Sequence, residues 1–209
     1  MSQFDQSLLE IVDRYYTDKI RAYGPTPSGV DWNGRDSQRV RFNQLMKLTD
    51  ERWKGSLNDI GCGYGALFDF LSEGQREADY LGVDISEDMV AMAQKLHQRT
   101  EHCRFLLGTH PDRIADYTVA SGIFNVRLGI DDVSWRNHIN VALDSMRDSS
   151  KAGFGFNCLT KYSDSNFRRD HLYYADPCDL FNFCKIRYAR NVALLHDYEL
   201  YEFTILVRL

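Results

Sequence analysis

The chain has 209 residues, enough for one domain with a full core, and its 44% hydrophobic and 26% charged residues are ordinary for a globule. The net charge of −5 argues against a nucleic-acid binder, and no apolar run approaches the ~18 residues that would cross a bilayer. Five cysteines without a C-x-x-C pair (Cys62, Cys103, Cys158, Cys178 and Cys184) point to reduced thiols in a cytoplasm and to no zinc or other metal site, and Met1 to Gln6 do not read as a signal peptide.

Residues 5–22 read as a helix, because Leu8, Ile11, Val12, Tyr15, Tyr16 and Ile20 recur on one face. Two prolines and three glycines between Tyr23 and Gly34, a stretch that includes Trp32 and Asn33, break it into an irregular loop. Loops of that length are often lids or binding loops. A second helix is expected from Ser37, carrying Val40, Phe42, Leu45, Met46 and Leu48. Residues 1–54 therefore read as a helical N-terminal cap with a lid loop, ahead of a core over 55–209 in a single domain.

The chain is organised around Ser56 to Leu71, which reads as a strand, a tight turn and the start of a helix. Gly61, Gly63 and Gly65 alternate in the turn, where the lack of a β-carbon lets a ligand touch the main chain. The first amides of the following helix are expected to point back at the turn and to cradle a polar or anionic group. A second strand, Asp79 onward, ends in Asp84, about 20 residues after the turn, where dinucleotide folds grip ribose hydroxyls. Gly61, Gly63 and Ala66 also satisfy G-x-G-x-x-G/A, so an NAD-binding protein is an alternative at this point.

Beyond Asp84 a helix is expected with Ser86 as its cap, then strands at Arg104–Gly108 and Tyr117–Ser121. Trp135, Ile139, Leu143 and Met146 mark an amphipathic helix, and Gly153–Leu159 a fifth strand. A helix over 177–187 is introduced by Asp176 and Pro177, and Asn191–Leu195 with Glu202–Val207 closes the chain as an antiparallel pair. This alternation predicts an α/β doubly wound, Rossmann-like sheet.

Asp59 to Gly65, Asp-x-Gly-Cys-Gly-x-Gly, resembles motif I of the class I S-adenosylmethionine-dependent methyltransferases, and the likeness extends over about residues 55–209. It is also similar to an uncharacterised bacterial group of small methyltransferases, through Gly29–Trp32, Ser121–Asn125, Tyr173–Pro177 and Leu194–Tyr198. The resemblance implies a seven-stranded sheet of order 3-2-1-4-5-7-6 with strand seven antiparallel, and S-adenosyl-L-methionine as cofactor. It also implies an ammonium contact at Asp59 and a ribose contact at Asp84. Gly61, Cys62, Gly63, Gly65, Ile85, Met89, Thr109, His110 and Ser121 complete the expected cofactor site. An acid is usual after the third strand for adenine, but Gly108-Thr109-His110-Pro111 stands there instead.

The expected reaction is methyl transfer to oxygen or nitrogen of a small molecule, without nucleic-acid or membrane partners. A glycan or protein acceptor, or a non-catalytic nucleoside-binding protein, is the alternative. No catalytic base is evident. His171 and Tyr173, in the polar aromatic stretch after the fifth strand, and His196 beside Asp197 are candidates, against ordinary packing or turn positions. Arg35, Arg39 and Arg41 could meet an acidic acceptor or form a solvated face, Tyr15, Tyr16 and Trp32 could wall its pocket, and His138 reads as a surface residue.

Overall fold

The structure is a computed structural model and describes residues 3–32, 34–50 and 52–209, with side chains from residue 7 onward. The expected loop residue Asn33 lies outside the described residues. In chain order the elements are α1 (Gln3–Tyr23), a 3-10 turn (Pro27–Val30), α2 (Arg35–Leu45), β1 (Gly55–Ile60), α3 (Ala66–Glu73), β2 (Ala78–Asp84) and α4 (Glu87–Leu96). β3 (Cys103–Leu107), β4 (Ala115–Ala120), α5 (Asp132–Asp148), β5 (Ser150–Leu159), α6 (Pro177–Arg187), β6 (Asn191–Leu195) and β7 (Glu202–Arg208) follow. The seven strands form one sheet of order 3-2-1-4-5-7-6, as the resemblance implies. β7 runs antiparallel to both β5 and β6, while β1 to β5 pair in parallel.

Each helix start has a chemical cause. Ser86 caps α4 by accepting from the Met89 amide, and Asp131 caps α5 through the Val133 and Ser134 amides. Asp176 caps α6 with Pro177 in its first turn, so both residues serve the helix as the packing alternative had it. α1 ends at Gly24, whose φ of +62° admits the left-handed turn and whose amide returns to the Ile20 carbonyl at 2.8 Å.

The two faces of the sheet separate by the period of two that strands impose. Phe203, Ile205 and Val207 of β7 join Phe154 and Phe156 of β5 in a core roofed by Trp135, Ile139, Leu143 and Met146 of α5. Leu8 and Val12 of α1 belong to that same core. Leu57, Tyr80, Val119 and Leu206 face the other way, against Phe42, Leu45, Leu67 and Leu71. The N-terminal helices are thus split, α1 to one face of the sheet and α2 to the other.

α2 is also tied to β7 by charge. Arg41 donates to both oxygens of Glu202, at 2.7 and 2.5 Å, with side chains only 10% and 2% exposed. Removing one partner of such a pair strands the other charge in the interior. Glu202→Ala is therefore expected to cost about 3–5 kcal/mol in urea unfolding. The joint replacement Arg41→Met with Glu202→Leu removes both charges and is expected to cost far less.

Candidate active site

The turn after β1 is wired to β2. The Gly61 and Cys62 amides both donate to the Val83 carbonyl, at 2.7 and 3.1 Å, and the Gly65 amide to the Cys62 carbonyl at 3.1 Å. Gly63 has φ +55°, which glycine reaches without a steric cost. Its amide donates to Asp84 Oδ2 at 2.8 Å, and the Ser86 amide donates to Asp84 Oδ1 at 3.0 Å. One carboxylate thus holds both strand-to-helix turns. Burial pushes its carboxyl above the ordinary range, with the two amides pulling the other way. Four amides of the turn, those of Gly61, Cys62, Gly63 and Gly65, are therefore already bonded within the protein. What faces outward is bare backbone and the carboxylate.

Asp59 lies deeper, 3% exposed, and accepts from the Tyr80 hydroxyl at 2.6 Å. Burial pushes its carboxyl up to about 7, the Tyr80 bond opposes that, and the Asp84 charge adds to it. Asp59, Cys62 and Tyr64 border a recess of about 30 Å³ beneath the turn. The Cys62 thiol is buried and pushed up by that burial, which removes it as a nucleophile.

Above the turn, a cavity of about 130 Å³ lies across the carboxyl ends of β1, β2 and β4. Gly61, Gly63, Asp84, Ile85, Met89, Thr109 and Ser121 form one side. The other side comes from α1 (Leu9, Val12, Tyr16) and α5 (His138, Ala142). Side chains from elsewhere approach the bare backbone closely. A β-carbon on Gly61 would fall 2.1 Å from Ile123 Cγ2, one on Gly63 3.0 Å from Val30 Cγ1, and one on Gly122 2.7 Å from Trp32 Cζ2. The Gly122 amide is fixed in turn by Asn157 Oδ1 at 2.8 Å.

A second cavity, of about 760 Å³, adjoins the first and shares Tyr16, Val30, Trp32 and Gly122 with it. Its remaining wall comes from Tyr15, Lys19 and Asp31, from Arg41, from Asn125 and Val126, from the end of β5 and the segment after it (within 159–174), and from residues 199–202. Asp31 accepts from the Tyr15 hydroxyl and from Lys19 Nζ, both at 2.6 Å. Burial pushes the Asp31 carboxyl up, but those two bonds and the Lys19 charge outweigh it and hold it below its ordinary value.

Residues 58–153 match the family model of a methyltransferase domain. The chain is 55% identical over 163 residues to the putative methyltransferase Rv1506c of Mycobacterium tuberculosis, covering 78% of this chain and 98% of that one. The chain belongs to the methyltransferase family. Among solved structures, DhpI bound to S-adenosylhomocysteine (SAH) superposes with a TM-score of 0.68 at 16% identity, over 96% of each chain. The N-methyltransferase NodS of Bradyrhizobium japonicum WM9, also with SAH, gives 0.66 at 14% identity over 94% of this chain and 97% of that one. At these identities the likeness speaks for the fold.

The methyltransferase brings together most of the residues expected from its sequence. Asp59, Gly61, Cys62, Gly63, Asp84, Ile85, Met89, Thr109 and Ser121 all border the small cavity or its recess. Gly65 and His110 do not. A β-carbon on Gly65 would meet His97 Nε2 at 2.8 Å and Phe105 Cζ at 2.9 Å, so its bareness serves packing against α4 and β3. His110 turns aside to the Thr109 hydroxyl, 3.0 Å away. On the acceptor side only His171 lines the large cavity. Tyr173 packs on the core, and His196 lies between the rings of Tyr162 and Phe203, 6.0 Å from each. Arg41 lines the large cavity, Arg39 pairs with Glu73, and Arg35 lines neither. His138, expected on the surface, borders the small cavity. Val30, Gly122 and Ile123, which entered the resemblance through Gly29–Trp32 and Ser121–Asn125, line the small cavity too, whereas Leu9 and Ala142 were not singled out, since apolar cavity walls carry the same periodicity as core.

The buried Asp59 makes a stability prediction. Its carboxyl titrates near 7 in the folded chain and near 3.8 when unfolded, so the folded state holds the extra proton between those values. Its contribution is present below about pH 4 and is lost as pH rises through 7. Asp59→Asn is expected to flatten that part of the profile and to exceed the parent in stability at pH 8. Urea unfolding from pH 5 to 8 checks this, and parallel profiles for the two proteins would refute it.

Proposed function

We propose that this methyltransferase binds S-adenosyl-L-methionine across the glycine turn and transfers its methyl group to oxygen or nitrogen of a small-molecule acceptor in the adjoining cavity. The shared wall of Tyr16, Val30, Trp32 and Gly122 carries this reading, because a donor and an acceptor placed in the two cavities meet there. We assign one domain to residues 1–209, with 1–54 as its cap and lid.

The residues present fit the cofactor. Bare backbone at Gly61 and Gly63 admits its chain, where any β-carbon would intrude. Asp84, with a carboxylate facing the cavity, accepts from ribose hydroxyls, and Asp59 in the recess balances the ammonium group. Ile85, Met89 and Thr109 border the adenine end, with Ser121 opposite. NAD fits poorly. Its pyrophosphate needs free amides, whereas those of Gly61, Cys62, Gly63 and Gly65 are already bonded and two buried acids stand close by. The bound cofactor supplies an activated methyl group, and the protein contributes position and the exclusion of water.

No helix among the described residues is long and apolar enough to cross a membrane.

Calorimetry separates the readings. S-adenosylhomocysteine is expected to bind and NAD is not; the reverse would overturn the assignment. Gly63→Val adds a side chain at φ +55° against Val30 and is expected to lower cofactor affinity at least ~10-fold, while the circular dichroism of the fold persists.

A further inference from the structure

The large cavity has three properties that together select a class of acceptor. The first is charge balance. Its wall holds three cations, Lys19, Arg41 and Arg169, and three acids, Asp31, Glu199 and Glu202. Two pairs are already closed within the wall, the buried Arg41 with Glu202 and the more exposed Lys19 with Asp31. An acceptor with a formal charge would meet as many repelling as attracting groups.

The second property is hydrogen-bonding capacity. Paired carboxylates keep lone pairs, and paired guanidinium and ammonium groups keep N–H donors. Arg41 Nη1 is buried in this wall without a hydrogen-bond partner among the described residues. A buried unpaired donor costs free energy that a ligand oxygen would recover. The third property is aromatic surface. Tyr16 and Trp32 stand where the cavities meet, and Phe167 and Tyr201 stand at the mouth. The latter two remain 63% and 42% exposed, with ring centroids 5.7 Å apart and planes tilted by 30°. Such rings left open beside a cavity mark a surface for a ligand.

A flat phenol would use the rings and leave the charged pairs without partners. A saccharide uses both, because its C–H faces lie on aromatic rings and its edges carry hydroxyls that donate and accept. We propose that the acceptor is a neutral saccharide unit and that the methyl group goes to one of its hydroxyls. This rests on the proposed function above. The hydroxyl oxygen forms the new C–O bond as the C–S bond of the donor breaks, and the C–S electron pair stays on sulfur. The hydroxyl proton passes to the His171 imidazole in the cavity wall. The imidazolium then formed stands within electrostatic reach of the Asp31 carboxylate.

The test is saturation-transfer NMR on the full chain loaded with S-adenosylhomocysteine, followed by turnover with S-adenosylmethionine. The probes are methyl β-glucoside, maltotriose and p-nitrophenyl β-glucoside, with glucuronate, glucosamine and catechol as charged and flat counterparts. The neutral sugars are expected to receive saturation and to be methylated, with the charged ones at least ~10-fold weaker. Maltotriose or the nitrophenyl glycoside exceeding methyl glucoside would identify an extended glycan or glycoside, which reaches Phe167 and Tyr201, over a free monosaccharide. Replacing Phe167 and Tyr201 together by Ala is expected to weaken the glycosides about 10-fold and leave S-adenosylhomocysteine affinity unchanged. Binding of S-adenosylhomocysteine with no saccharide signal, or a preference for catechol or a charged sugar, would overturn the saccharide assignment alone. Failure of S-adenosylhomocysteine to bind would remove the reading beneath it.

Discussion

Asp84 stands where two strand-to-helix turns meet, and its two oxygens each accept a main-chain amide, Gly63 on one side and Ser86 on the other. A carboxylate that is 9% exposed persists as a charge only if such partners are present. The bond to Gly63 also decides what the glycine turn can offer. With that amide turned inward, and those of Gly61 and Cys62 spent on Val83, the turn has little to give an anion. It offers contact area and negative charge, which suit a cationic nucleoside. The cap depends on the same point, because the Ser86 hydroxyl starts α4 and also meets Thr17 of α1 at 2.7 Å.

The sheet was legible because each of its strands carries its own signal. The buried runs of β5 and β7, and the caps at Ser86 and Asp176, appear in local residue patterns and need no knowledge of distant contacts. The glycine turn between β1 and α3 and the acid Asp84 at the end of β2 were legible as features for the same reason. At Gly65 the turn and the packing against His97 and Phe105 ask for the same residue, and only the fold says which side a missing β-carbon faces. His110 beside the Thr109 hydroxyl and Tyr173 against the core are placements set by the path of the backbone, which local residue patterns do not carry. The far wall of the small cavity was illegible for another reason. Leu9 and Val12 of α1 repeat at core spacing, and a residue half in a core and half in a cavity has no separate signature.

The covering loop is held unevenly. Asp31 is tied to Tyr15 and Lys19 by bonds at the surface, where an ion pair contributes roughly 0–1 kcal/mol. Its neighbour Trp32 lies under the Arg41 guanidinium, 3.9 Å from the ring centroid, and packs on Gly122. Arg41 is in turn fixed by Glu202, in a buried pair whose rupture would cost several kcal/mol. The Asp31 side is therefore the weaker tether, and Trp32 the firmer one. The firmer tether is the one that stands between the two cavities, so the wall shared by a donor and an acceptor rests on the buried Arg41–Glu202 pair, while Val30, against Gly63, belongs to the more loosely held part of the loop.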